Sequence, residues 1–350
     1  MEKIQITLAL TFALLIGAFG VKAQNFDNAK AYQDYILAEQ ALVVNENIAY
    51  ISKSLHDHKA RQNEAERKQI VQHLEAAIAK VEAMPSFAGD NTLKEAAIEV
   101  FRLYKETYQV ALKAAEATEL SKQSPVAEME AYFALLAKAE SQLVEAGKKF
   151  VKIQKTFDRT HKLAREENKV FCLFSEVAAV NDHCRKVFLA YARVSEHGKV
   201  FFEAMKKKQI ESMEKSRSAL IAEAETALAE LQKVGGHNGN LEYLEKAKAL
   251  THFLKATAQG DFVEIIKINQ NTQATFEDSN RFNKIVMNYH RQSKKLLAEF
   301  NEASVSLMSV SVPHELFLPA AETIVQAAAK LAPEVASQAK DGSVQKSTLE

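Results

Sequence analysis

Apolar residues recur along this chain at the three-to-four-residue spacing of amphipathic helices, and alternating strand patterns are missing. The clearest stretch has apolar residues at relative positions 0, 1, 4, 7, 8 and 11, which fall on one stripe of a helix. They are Ile70, Val71, Leu74, Ala77, Ile78 and Val81. The same spacing returns 150 residues later, at Leu220, Ile221, Ala224, Ala227, Leu228 and Leu231. The pattern predicts an all-α fold with an internal repeat.

Each stripe runs into a turn sequence that precedes a further helical pattern. Residues 84–91 read MPSFAGDN, and residues 234–240 read VGGHNGN. Glycine favours the left-handed conformation that ends a helix, while Asn91 and Asn240 are expected as N-caps of the helices that follow. Two helices and the turn between them are therefore predicted to occur twice.

A second similarity has a different offset. The segment FVKIQKTFDR at 150–159 resembles FNKIVMNYHR at 282–291, which lies 132 residues later. Its apolar residues match in pairs, which are Phe150 with Phe282, Ile153 with Ile285 and Phe157 with Tyr289. The second copy is therefore predicted to be 18 residues shorter than the first, between about Val110 and Phe150.

Helix start and stop signals divide each copy into four antiparallel helices. In the first copy they are expected over about 27–59, from there to Met84, over 91–120 and over 125–177. The polar run HDHKARQNEAERKQ between the first two is either a solvated turn or the exposed middle of one long helix. The second copy is predicted to begin at Asn181-Asp182, to have its third turn at Gly260-Asp261 and to end near Val312-Pro313.

The predicted architecture is thus an elongated tandem duplication of an antiparallel bundle of long helices. The first copy spans 24–178 and the second spans 179–312. Residues 313–350 contain the Ala-rich amphipathic segment AAETIVQAAAKLA, which is expected as a short helix, and then a tail of disordered composition.

Residues 1–23 have the features of a signal peptide. Lys3 is the positive charge, Ile6 to Phe19 are mainly apolar, and Val21-Lys22-Ala23 predicts cleavage before Gln24. The apolar run is short for a membrane span, which needs about 20 residues, although an uncleaved anchor is the alternative. The mature chain is therefore expected to be exported, to the periplasm or the outside of a bacterium, without spanning a membrane.

The charge balance narrows the choice of partners. The chain has 45 basic and 45 acidic side chains, and removal of the signal peptide leaves one net negative charge. Because nucleic acid and anionic bilayers are held mainly by an excess of positive charge, neither is expected as a partner. Few glycines and prolines and no tryptophan fit a helical protein.

Cys172 and Cys184 are the only cysteines, and an oxidising compartment favours a disulfide between them. On one continuous helix they would lie about 18 Å apart, which is too far for a disulfide. If the chain turns between Ser175 and Asp182, the two cysteines face each other across a hairpin. The sequence leaves both a disulfide and two free packed thiols open.

Other candidate chemistry has a structural explanation. His56 and His58 flank Asp57, but residues two apart on a helix diverge by roughly 200°, so they are expected in a solvated turn rather than at a metal. Asp158-x-x-His161 is a single copy of a motif that a di-iron bundle needs twice. The sequence GGHNGN joins two helices, so it is expected as a turn rather than a phosphate loop.

Aromatic residues follow the helical period as well. Phe101, Tyr104 and Tyr108 share one face of a predicted helix, and Phe201 and Phe202 are adjacent on another. Such stripes are typical of core packing, with an apolar ligand between helices as the minority interpretation. No catalytic, metal-binding or cofactor-binding residue is assigned.

The segment NAKAYQDYILAEQALV after the signal peptide resembles a known family. Its Tyr32, Tyr35-Ile36 and Glu39-Gln40 are similar to the first helix of uncharacterised bacterial surface proteins named after a leptospiral surface protein. The resemblance covers most of the mature chain and implies export and a helical fold, with no known activity. The signal sequence ending in Ala-Gln also resembles those of exported proteins of Bacteroidota-type bacteria.

The sequence therefore predicts a non-enzymatic, exported envelope protein that presents surfaces to another envelope protein or surface macromolecule. The alternative is a carrier that holds a small apolar ligand or lipid within or between the bundles. An enzyme with a scattered active site is the third hypothesis.

Overall fold

The structure is a computed structural model, and it describes residues 26–56, 60–120, 126–164, 169–273 and 275–311. The predicted signal peptide (1–23), the segment after Pro313 and most of the HDHKA run lie outside these ranges or have side chains that are not described. Within the described ranges the fold is all-α, as predicted, and two isolated bridges at turns are the sole β-type pairing.

Nine helices form in the described part of the chain. They are α1 (Ala29–His56), α2 (Ala60–Glu82), α3 (Thr92–Leu120), α4 (Val126–Thr160), α5 (Lys169–Lys206), α6 (Ile210–Val234), α7 (Glu242–Gln259), α8 (Asp261–Gln270) and α9 (Phe276–Ser311). Packing of α5 on α6, α6 on α7, α7 on α9 and α9 on α5 closes a four-helix bundle, with α8 against its side. The helices α1 to α4 pack in sequence beside it, and α4 lies against α5.

Two hydrophobic clusters hold these helices together. The first cluster contains side chains of α1 to α4 and of the start of α5, and the second contains side chains from Val180 onward. Leu74 and Val81 of the first predicted stripe and Leu220 and Leu231 of the second are fully buried. The predicted stripes are confirmed as core faces, with Val71, Ile221 and Leu228 partly exposed at their edges.

The two predicted turns have the same backbone geometry. In each, the first and fourth residues exchange two hydrogen bonds, of 3.1 and 2.9 Å in 87–90 and of 3.0 and 2.8 Å in 237–240. The third residue is Gly89 in one turn, with φ 82°, and Gly239 in the other, with φ 84°. Glycine is needed at this position because a side chain strains a backbone with positive φ.

The side chain of the fourth turn residue caps the next helix. The Thr92 N–H donates to Asp90 Oδ1 at 2.7 Å, and the Glu242 N–H donates to Asn240 Oδ1 at 2.9 Å. Asn240 therefore caps as predicted. The prediction for Asn91 is wrong: its Oδ1 is buried without a hydrogen-bond partner, and Asp90 has the capping role.

The 132-residue offset is wrong for the last helix of each group. Helix α4 begins at Val126 and α9 at Phe276, so the helices correspond at an offset of 150 throughout. Phe150 then matches Phe300, and both are buried, whereas Phe282 is only partly buried. The error of 18 residues equals about five helical turns, so a shifted alignment keeps the same face. Common descent of the two groups and an elongated shape stay predictions.

The junction between the two predicted copies differs from the expectation. Helix α4 ends at Thr160, where Lys162 adopts a φ of 55° and the Leu163 N–H donates to the Asp158 carbonyl at 2.8 Å. This Schellman-type end needs no glycine or proline, which is why the sequence predicted one helix up to 177. The predicted start of the second copy at Asn181-Asp182 lies inside α5.

Replacement of Gly89 or Gly239 by alanine tests the turn geometry. Each variant is expected to lose about 1 kcal/mol of unfolding free energy in urea, because the added Cβ meets a left-handed backbone although the space around it is open. Gly198→Ala in α5 is the matched control, since its Cβ would make ordinary contacts of 3.7 Å. Equal stabilities of all three variants would contradict the assigned turns.

Candidate binding groove

A groove lies where α4 meets the second hydrophobic cluster. Its cavity volume is about 330 Å³, and it is open to solvent on one side. Four helices line it, namely α4, α5, α7 and α9, so it joins the two groups of helices. The lining residues are Phe133, Leu136, Glu140, Asn181, Cys184, Arg185, Phe188, Tyr243 and Ser304.

Helical spacing places the lining residues on facing stripes. On α5 the residues Asn181, Cys184, Arg185 and Phe188 are spaced 0, 3, 4 and 7, which is one face of a helix. The ring of Phe133 on α4 meets the ring of Phe188 edge to face, with centroids 6.0 Å apart. The walls of the groove are therefore mostly aromatic and aliphatic.

A nearly buried ion pair occupies the polar end of the groove. Arg185 donates to both oxygens of Glu140 at 3.1 and 2.6 Å, and Asn181 Nδ2 donates to the same carboxylate at 3.0 Å. The side chains of Arg185 and Glu140 are only 11% and 15% exposed. Because these charges neutralise each other, the groove does not present an unpaired charge from this pair to a ligand.

The thiol and the phenol in the groove stay neutral. Burial raises the pKa of Cys184 to about 11, and the nearby Arg185 offsets this only in part. Burial also raises the pKa of Tyr243, with a smaller contribution from Cys184. A thiol that stays protonated at neutral pH is a poor nucleophile, so Cys184 contributes packing surface rather than reactivity.

A second set of ion pairs fixes α4 over the groove. Arg193 on α5 donates to Glu130 on α4 at 3.0 Å and to Glu223 on α6 at 3.0 Å, and it also pairs with Glu230. One guanidinium thus connects three helices. This arrangement holds the start of α4 against α5 at a distance from the first cluster.

The structure contradicts the disulfide between Cys172 and Cys184. Both residues belong to α5, which continues without a turn through 175–182. Twelve residues of helix separate them by about 18 Å, whereas bonded cysteines have Cα atoms about 4.4–6.8 Å apart. Cys184 has a free thiol.

The other candidate residues have structural roles or lie outside the described ranges. Asp158 accepts a 2.5 Å hydrogen bond from Gln33, and the ring of His161 packs on those of Phe87 and Phe157. His56 ends α1 with its side chain undescribed, and His58 lies outside the described ranges. Among the described side chains, no group of three or more His, Cys, Asp or Glu is placed to hold a metal.

The aromatic residues predicted as core are buried. Phe101, Tyr104 and Tyr108 lie in the first cluster and Phe201 in the second, with Phe202 partly buried against it. The aromatic residues of the groove, Phe133, Phe188 and Tyr243, were not singled out by the sequence. The Asn-Cys-Arg-Phe spacing on α5 is the signal that was present, but its partner Glu140 lies 45 residues away.

No protein-family profile, curated protein or solved structure matches the chain. The resemblance to the leptospiral surface-protein family therefore stays a prediction. Tyr32 and Ile36, which belong to its motif, are buried in the first cluster, and Glu39 pairs with Lys80 at 2.9 Å. Across the described ranges, no helix combines the length and apolar character that crossing a membrane requires.

The reactivity of Cys184 gives one test of the groove. In a Cys172→Ala variant at pH 8, Cys184 is expected to react with a thiol reagent about 100-fold more slowly than a free cysteine, because little thiolate is present. The same variant unfolded in urea should react at the ordinary rate. Equal rates for the folded and unfolded protein would contradict a buried, protonated thiol.

The Glu140–Arg185 pair gives a second test. Arg185→Leu alone leaves a buried carboxylate without its partner and is expected to cost about 3–5 kcal/mol of unfolding free energy. Glu140→Leu combined with Arg185→Leu should cost clearly less than the single change. Lys148→Ala is the control, because its pair with Glu145 is exposed and should contribute less than about 1 kcal/mol. Additive costs in the double variant would contradict the pairing.

Proposed function

We propose that this chain is an exported, non-enzymatic binding protein of the bacterial cell envelope. In this proposal the groove between α4 and α5 receives an apolar group of a partner macromolecule. The observation that supports it is an open groove with aromatic and aliphatic walls whose charged groups already neutralise each other. Export rests on the signal-peptide features of residues 1–23.

The chemistry of the lining supports binding rather than catalysis. Cys184 is protonated at neutral pH, and Glu140 is held by two donors, Arg185 and Asn181. A general acid or base needs a titratable group that is free to exchange its proton with a substrate. These two residues therefore favour a surface that recognises shape and apolar character.

The openness of the groove favours a macromolecular partner. Sites for small molecules usually enclose most of the ligand surface, whereas this groove leaves one side to solvent. A side chain that projects from a partner protein needs cover on its sides only. Central apolar anchors of this kind supply most of the binding energy at protein interfaces.

Two charge insertions on neighbouring residues test this proposal. Leu136 lines the groove, while Leu135 is 57% exposed and is not among the lining residues. The mature chain and Leu135→Glu are expected to retain the same partner from a solubilised native envelope, and Leu136→Glu is expected to lose it. Circular dichroism of each variant serves as the folding control. Equal retention by all three would contradict binding through the groove.

A carrier of a small apolar ligand is the second candidate. A volume of about 330 Å³ is within the range of about 300–1,000 Å³ of ligand pockets, and the thiol and phenol of the lining are neutral. Native mass spectrometry of protein purified from its own host separates the two candidates. A stoichiometric bound lipid that Leu136→Glu fails to retain would favour the carrier and contradict the macromolecular partner.

A further inference from the structure

Two histidines meet at the end of the second bundle. His183 on α5 faces His237, the first residue of the turn between α6 and α7, with ring centroids 5.4 Å apart. The His183 side chain is buried, and the residue is only 7% exposed. Its Nε2 atom is buried and has no hydrogen-bond partner. A buried ring nitrogen without a partner is unfavourable unless something else binds it.

We propose that His183 and His237 form a binding site for one divalent transition-metal ion of the zinc, nickel and copper class. The two imidazoles supply the protein ligands, and water completes the coordination. The sequence did not predict this site, because its two ligands lie 54 residues apart and belong to different elements. The site is independent of the function proposed for the groove.

The spacing of the rings fits two ligands of one metal. Metal-to-nitrogen distances of about 2.0–2.1 Å and tetrahedral angles place the centroids of two bound imidazoles roughly 5 Å apart. The observed centroid distance is 5.4 Å, with the ring planes inclined by 44°. Only a small adjustment of the His237 side chain is then needed to aim both rings at one ion.

The electrostatic surroundings keep His183 in the state that binds metals. Burial lowers its pKa, and His237 and Lys186 lower it further, while Asp182 acts in the opposite direction. A neutral imidazole has a lone pair for a metal, whereas a protonated one does not. The ring of Tyr243, with its centroid 6.5 Å from that of His183, closes the site on one side.

The composition of the site selects the class of ion and its affinity. Imidazole nitrogen suits zinc, nickel and copper, whereas calcium and magnesium prefer oxygen ligands. The described side chains add no third His, Cys, Asp or Glu, so the affinity is expected to be modest. Access is through the turn, where Asn238 and Gly239 are exposed.

The first group of helices should not form an equivalent site. At the offset of 150 residues, Gln33 stands in place of His183 and Phe87 in place of His237. Phenylalanine cannot ligate a metal, and Gln33 is bonded to Asp158. One ion per chain is therefore expected at a site of this kind.

Calorimetric titration with Zn²⁺ tests the proposal on the tag-free mature chain after removal of bound metals with a chelator. One saturable site is expected, with at least 10-fold weaker binding in His183→Gln and in His237→Gln. His252→Gln is the control, because His252 is an exposed histidine on α7. Equal binding by all variants, or no saturable binding at all, would overturn the site.

Electron paramagnetic resonance with one equivalent of Cu²⁺ gives a second measurement that does not depend on stability. The parent chain is expected to show two imidazole nitrogens on the copper, and His237→Gln is expected to show one. Residue 237 lies on a solvent-facing turn, so this variant should keep its fold. A spectrum that is the same in the parent and in His237→Gln would overturn the proposal.

Discussion

The arrangement of the molecule depends on one uninterrupted helix that is shared by two hydrophobic clusters. Leu173 and Phe174 near the start of α5 are buried in the first cluster, and Val180 and Val187 are buried in the second. Because a helix resists bending between adjacent turns, these contacts fix the two clusters relative to each other. A hinge at the predicted boundary of 178 and 179 would have left the clusters free to move.

The groove is a consequence of this constraint. Helix α4 leaves the first cluster and lies along α5, where Arg185 and Arg193 hold it by its glutamates Glu140 and Glu130. Side chains between these two contacts cannot pack closely, since α4 meets α5 without a complete layer of core residues. The cavity lies between Phe133, Leu136 and Phe188, and it is both apolar and accessible.

Periodicity was sufficient to predict the all-α fold and the buried stripes, because burial of one face is a local property of a helix. It was insufficient for the register of α4 and α9, since a shift of about five turns restores the same face. The end of α4 was missed because Lys162 adopts the left-handed conformation without a glycine. The cap at Asp90 was assigned one residue too late for the same reason: the sequence offers two adjacent capping side chains.

The sites were the least predictable part. The Cys172–Cys184 alternative turned on whether 175–182 forms a turn, and the continuous packing of α5 against two clusters decided it. The pairs Glu140–Arg185 and His183–His237 join residues that only the tertiary arrangement brings together. A polar residue within an apolar stripe signals that a buried partner exists, but it does not identify the partner.

The continuity of α5 is tested most directly by a distance measured across it. Spin labels at the exposed positions Glu176 and Lys199, in a chain with both cysteines replaced by alanine, are separated by 23 residues of helix. Pulsed electron resonance is expected to give one narrow distance distribution near 35 Å, from a rise of about 1.5 Å per residue. A much shorter or broad distribution would show a bend or a turn between the clusters and would contradict the shared helix.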